Sequence, residues 1–295
     1  MSTPTGPASG LPVRMPRPRQ PGRHRRPEPV SAPEGAPVLV LAVPGTPSPA
    51  SRSLAEEVVS IARADLPGLN ARIGFAEGEG DEFPGLREVL SRVAAERPES
   101  GDEAPPAVVV PLLAGPDSAQ LRLIRQAVVG SGSGAELTDV LGPHPLLAEA
   151  VHVRLSEAGL ARADRARLFT VATAADGIIL ATVGGDEAVQ AAGITGMLLS
   201  ARLAVPVLAT AVDSDGAIAA TARQLLESGS RQLALAPCLI GPEVPDGLLA
   251  AAAEEAGCSA SEPLGSYPAI GKLVLSAYAG KIGLNPNPQQ AASVR

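Results

Sequence analysis

The chain has 295 residues, 45% hydrophobic and 19% charged, which allows a substantial buried core spread over one or two domains. Aromatic residues make up only 2% and Trp is absent, so Ala, Val and Leu must pack that core, and a surface that binds nucleic acid by base stacking is argued against. No apolar run approaches the roughly 20 residues of a membrane helix, and the N-terminus lacks the apolar stretch of a secretory signal. A soluble cytoplasmic protein with no membrane partner is the expectation.

The formal charge of −7 is unevenly spread, because residues 1–35 carry six arginines against Glu28 and Glu34. The body is therefore acidic and this leading segment basic. Rich in Pro, Arg and Gly and without apolar periodicity, residues 1–35 cannot offset their ordering entropy by burial and are expected to form a disordered tail. His24 lies within it, with no other metal-ligand type close by.

From Ala36 onward short apolar runs alternate with amphipathic segments, the pattern of parallel sheets covered by helices on both faces. In the first half, Val38–Val43, Ala71–Phe75 and Val108–Leu113 read as strands. Arg52–Asp65, Leu86–Ala95, Gln120–Val129 and Pro145–Ala158 read as helices. Glu96–Pro106 and Gly130–Gly134 have loop or linker composition. A joint is expected between Leu160 and Arg167, with a weak strand at Leu168–Thr173 as a competing reading. In the second half the strands are Ile178–Val183, Val205–Ala211 and Gln232–Leu239. The helices are Ala188–Leu203, Ala217–Ser228, Leu248–Ala256 and Pro268–Tyr278.

One order of segments occurs twice. VLVLAVPGT (38–46), PAVVVPLLAGPDS (106–118) and LGPHPLLAEAV (141–151) are matched by DGIILATVGGD (176–186), RQLALAPCLIGPEV (231–244) and LGSYPAIGKLVL (264–275). Two copies of so long a unit imply a duplicated lobe facing its twin across a cleft. The lobes are expected at 36–165 and 166–282, followed by a flexible tail at 283–295, with Pro44 and Gly184 at equivalent strand ends. Cys238 and Cys258 form no CxxC pair and are read as structural thiols.

These segments, together with RIGFAEGEGDEFPGLREVL at 72–90, resemble the sirohydrochlorin chelatases of the class II chelatase group over residues 36–282. The resemblance implies a chelatase-like α/β fold of two similar lobes, with a tetrapyrrole held between them. It further implies insertion of Fe2+ or Co2+ as substrate, a lyase activity of siroheme or cobalamin biosynthesis that needs neither ATP nor a resident cofactor. In such a family imidazoles at first-lobe strand ends can ligate the incoming metal and accept pyrrole protons.

At the matching positions this chain reads Pro44-Gly45-Thr46, and an ungapped alignment of AGPDSAQL puts Ala119 at the second place. A small shift brings Asp117 or Gln120 there instead. Two readings therefore stand side by side: an inserting chelatase, or a family member that binds tetrapyrrole, metal or a partner protein without insertion. Candidate cleft residues are Gly45, Thr46, Glu77, Gly115, Asp117, Gly184 and Gly185. Glu77, Glu79, Asp81 and Glu82 form an acidic loop able to attract hard cations, and Gly184-Gly185 could present amides to an anion. His144 and His152 are read as turn and helix residues, and no metal-ligand set is assigned.

Overall fold

A computed structural model describes residues 31–96, 104–161 and 174–284. In the first half the elements are β1 (Val38–Val43), α1 (Pro49–Asp65), β2 (Ala71–Phe75), α2 (Leu86–Glu96), β3 (Ala107–Pro111), α3 (Ser118–Ser131), β4 (Glu136–Leu137) and α4 (Pro145–Glu157). In the second they are β5 (Gly177–Thr182), α5 (Asp186–Leu203), β6 (Val207–Ala211), α6 (Ala217–Glu227), β7 (Leu233–Pro237), α7 (Leu248–Glu255), β8 (Ser259–Ala260) and α8 (Pro268–Lys281).

Several element ends differ from the sequence reading, each for a local reason. Helix α1 begins three residues before Arg52, because Ser48 and Ser51 cap each other's backbone amides and Pro49 occupies a first-turn position that needs no N–H. Strands β3 and β7 stop at Pro111 and Pro237, where the ladder loses a donor. Gly130–Gly134 is not wholly a linker. Helix α3 continues to Ser131 and ends on Gly132 in the left-handed conformation (φ 60°). Strands β4 and β8 were not anticipated, because two residues are too short to show alternation.

The weak strand expected at Leu168–Thr173 and residues 1–30 lie outside the described residues, as do 285–295 and most of the Glu96–Pro106 loop. Within the expected leading tail, the Ala32 N–H donates to the Pro67 carbonyl at 2.9 Å. At the other end Leu284 packs against the core.

Each half forms a four-stranded parallel sheet of the same topology, β2-β1-β3-β4 in one and β6-β5-β7-β8 in the other. The registers fix the equivalences between halves. Ala42 pairs with Pro111 as Ala181 pairs with Pro237, so Gly45 corresponds to Gly184 and Pro44 to Val183. The expected match of Pro44 with Gly184 is thus off by one residue, because the second turn carries two glycines, Gly184 and Gly185, and only the strand register shows which of them matches Gly45.

Alternation along the strands divides the core. Val40, Ala42 and Val109 meet Leu90 and Ile124 from α2 and α3, and Ile179, Ala181 and Leu235 meet Ile218 and Leu225 from α6. The opposite faces, with Leu39, Leu41, Ile178 and Leu180, join in a single apolar cluster that runs through both halves. Full burial of each such aliphatic side chain contributes about 1.5–3 kcal/mol, so the shared cluster binds the halves together strongly.

The shared cluster exists because the last helix of each half crosses over. Helix α8 packs against α1 and β3, while α4 packs against α5 and β7. Gly271 lets α8 approach α1 closely, since a Cβ there would run into Ile61. Tyr278 secures the crossing, its hydroxyl donating to the Pro37 carbonyl at 2.7 Å just before β1, and burial pushes its pKa up to about 12.

Candidate functional site

The strand ends of the first half and the loops after β7 and β8 of the second enclose a cleft of about 870 Å³. This is the size of a pocket for a large organic ligand and the usual place for one in an open α/β sheet. One wall is the segment from Gly45 to Leu54 that carries the capped start of α1. Ile240–Asp246, Glu262, Pro263 and Gly265 form the other, with Glu77, Gln120 and Arg154 completing the lining.

Gly45 sets the contact between the walls. It has φ 74° and is buried, and a Cβ on it would collide with the Pro242 carbonyl oxygen of the other half. Its N–H donates to Gln120 Oε1 at 3.0 Å. The second half repeats the device: Gly184 has φ 108°, a Cβ on it would lie 2.7 Å from Asp117 Cα, and its N–H donates to Asp213 Oδ2 at 3.1 Å. Only glycine combines this backbone conformation with so near an approach.

Two carboxyls are buried at this joint. Asp117 Oδ1 accepts the Ala119 and Gln120 amides at 2.9 and 3.1 Å and caps α3. Glu243 accepts the Ile240 and Gly241 amides at 2.7 and 2.8 Å, one on each oxygen. Burial holds the Glu243 carboxyl above the usual carboxylate range and the Asp117 charge pushes it further up, against the two amides, which favour its charged form.

Of the residues expected in the cleft, Gly45, Thr46 and Glu77 line it. Gly115, Asp117, Gly184 and Gly185 do not, nor do Pro44 and Ala119, the two places where the resemblance puts imidazoles. Gln120 is the α3 residue that reaches the wall.

The two described histidines are engaged elsewhere. His144 Nδ1 accepts the Leu146 N–H at 3.1 Å and caps α4, with burial lowering its pKa. His152 is buried, and its Nδ1 accepts from Arg202 Nε at 2.8 Å. Burial also raises both thiols, Cys238 to about 12, so neither is poised as a thiolate. Among the described residues no three His, Cys, Asp or Glu side chains converge as a metal-binding group.

Sequence reasoning missed Glu243 and Arg154. Glu243 was accessible through the duplication, because GPE at 241–243 repeats GPD at 115–117. Arg154 had no such signal. It reaches the cleft from α4 only because that helix crosses over, its Nη2 donating to the Leu264 carbonyl at 2.9 Å and its Nη1 pairing with Glu157. Its buried Nε has no hydrogen-bond partner.

Two parallel four-stranded sheets flanked by helices, facing each other across a strand-end cleft, define an α/β two-lobed chelatase-like fold. The sirohydrochlorin chelatase SirB from Bacillus subtilis subspecies spizizenii, solved in complex with cobalt, is similar with a TM-score of 0.58 and 14% identity over 86% of this chain and 97% of that one. SirB from Bacillus subtilis with Fe3+ gives 0.59 and 13% over 83% and 95%. CbiX, the terminal enzyme for biosynthesis of siroheme in denitrifying bacteria, gives 0.55 and 19% over 83% and 98%. At these identities the likeness is one of fold. No protein-family model and no curated protein sequence matches the chain. Among the described residues no helix is long and apolar enough to cross a membrane.

Proposed function

We propose that this protein holds a tetrapyrrole of the sirohydrochlorin type in its interlobe cleft without inserting Fe2+ or Co2+ into it. The observation that carries this reading is a cleft of about 870 Å³ at the strand ends whose wall, among the described residues, offers no imidazole, thiolate or convergent ligand group. Insertion needs a donor for the incoming metal and an acceptor for two pyrrole protons, and imidazole suits both near neutral pH. Here Gln120 stands in the wall, and its amide oxygen is occupied by the Gly45 N–H. Glu243 can exchange a proton but is held by two backbone amides.

The lining also limits the ligand. Among the described lining residues Glu77, Asp246 and Glu262 accompany one guanidinium, that of Arg154, so a carboxylate-rich macrocycle meets net repulsion except near Arg154. Such a site favours modest affinity, suited to holding or handing over a pigment. Anaerobic titration with sirohydrochlorin, followed by the change in its absorbance, tests the reading. The full chain is expected to bind with saturation. Ala50→Trp, at an exposed position of the cleft wall, should weaken binding at least about tenfold with an unchanged melting curve. Absence of binding by the full chain, or binding indifferent to Ala50→Trp, would count against it.

A further inference from the structure

The duplication allows the crossing helices α4 and α8 to be compared position by position. With Pro145 set on Pro268, buried Leu147, Ala148, Val151 and Leu155 of α4 fall on buried Ile270, Gly271, Val274 and Tyr278 of α8. In that register Arg154 falls on Ala277, and both positions are half-buried. The fold therefore accepts a methyl group where the first half carries a guanidinium. Taking such a charge out of water is costly unless its N–H groups are satisfied, and those of Arg154 are not all satisfied within the protein.

The Arg154 side chain is only 25% exposed. Its Nη1 gives one hydrogen to Glu157, a carboxylate lying largely in solvent, and its Nη2 gives one to the Leu264 carbonyl. Each Nη keeps a second hydrogen for an outside acceptor. Among the described residues two buried side-chain polar atoms lack a hydrogen-bond partner, Arg154 Nε and Ser261 Oγ. Both belong to one corner of the cleft, because Ser261 leads directly into the segment 262–265 that Arg154 touches. Gly265 leaves room for the guanidinium there: it has φ 60°, and a Cβ on it would lie 2.9 Å from Arg154 Nη2.

Taking the cleft as the tetrapyrrole site, we propose that Arg154 is its specificity-determining residue, receiving one ionised carboxylate of the macrocycle and so discriminating a free acid from its ester. Arg154 is the one cation among the described lining residues. A guanidinium presents N–H groups in a planar fork that matches the two oxygens of a carboxylate. An ester keeps a carbonyl oxygen but loses the charge and the matched second acceptor. The acidic remainder of the lining gives no comparable hold on an anion, so the selection falls to this corner.

Absorbance titrations of the full chain and of Arg154→Met, with sirohydrochlorin and with its fully methylated ester, test this. Arg154→Met should weaken binding of the acid at least about tenfold and leave binding of the ester within about twofold. Arg154→Lys keeps the charge and the stem but not the fork, and should lose several-fold for the acid and nothing for the ester. Ala277 at the matching place shows that the helix does not need an arginine, and melting curves of both variants check their folding. Should Arg154→Met not fold, Arg154→Lys decides on the same comparison. Acid binding unchanged by the substitution would overturn the assignment. So would an equal loss for both ligands, the mark of a merely structural role, or binding of the ester alone by the full chain. If the full chain binds neither ligand, the cleft is not a tetrapyrrole site and the assignment falls with that reading.

Discussion

Asp117 and Glu243 occupy equivalent positions in the two halves, each following a Gly-Pro turn after the third strand, yet each carboxylate satisfies different backbone. Asp117 reaches forward to the amides of Ala119 and Gln120, whereas Glu243 turns back to those of Ile240 and Gly241. The difference follows from what comes next. After Asp117 the chain enters α3 directly, while after Glu243 it passes through Pro245 before α7 begins at Leu248. Asp117→Ala should therefore lower stability by about 0.5–2 kcal/mol, the usual worth of a helix cap, as read from urea unfolding.

Glu243 makes stability fall as pH rises. Its folded pKa lies above the ordinary value of 4.5, so the folded state holds a proton that the unfolded chain has released, and stability is lost from about pH 4.5 upward through the raised value. Melting temperatures of the parent and Glu243→Gln across this range should differ in slope, with the variant flatter. Parallel slopes would show that Glu243 does not titrate in the folded protein.

His144 acts in the opposite sense. Its folded pKa is depressed by burial below 6.5, so the stability it provides is present above pH 6.5 and is lost as pH falls through the folded value. His144→Asn keeps a side-chain acceptor for the Leu146 amide and removes the titration. Melting curves at pH 7.5 and 5.5 should show a smaller difference for the variant.

The glycines at the joint should rank by what surrounds them. Gly185→Ala meets open space and carries only the backbone cost of a φ 81°, ψ −160° conformation essentially confined to glycine, about 1–3 kcal/mol. Gly45→Ala and Gly184→Ala add overpacking against the opposite half, for about 2–5 kcal/mol in all. Equal effects at the three sites, measured by urea unfolding, would mean that the halves yield easily at their contact.

Most of the elements were legible because apolar runs such as Val38–Val43 and Val108–Leu113 are bounded by Gly or Pro and separated by helical periodicity. What escaped was partnership. Helices α4 and α8 are apolar on more than one face, and nothing in Leu147, Val151, Ile270 or Val274 says which sheet they cover. The cleft was legible at Gly45, Thr46 and Glu77, which follow strands directly. It was not legible at Arg154, which arrives through the helix exchange, nor at Gln120, whose place depends on where the α3 cap puts the first turn.

Screening offers a test of the acidic wall. Since the carboxylates of Glu77, Asp246 and Glu262 outweigh one guanidinium in the lining, the affinity for an anionic tetrapyrrole should rise several-fold between about 0.02 and 0.3 M salt as repulsion is screened. An affinity that falls with salt would mean that Arg154, and not the acidic lining, dominates the interaction.

The central claim is that the cleft holds a tetrapyrrole but lacks the donors to metallate it, and one absorbance trace addresses both parts. Sirohydrochlorin and Co2+ are incubated anaerobically with the full chain and with buffer alone. The account requires an immediate protein-dependent shift of the macrocycle spectrum, followed by cobalt product forming no faster than in buffer. Product formation accelerated by the protein at least about tenfold, and abolished by Ala50→Trp in the cleft wall, would contradict it.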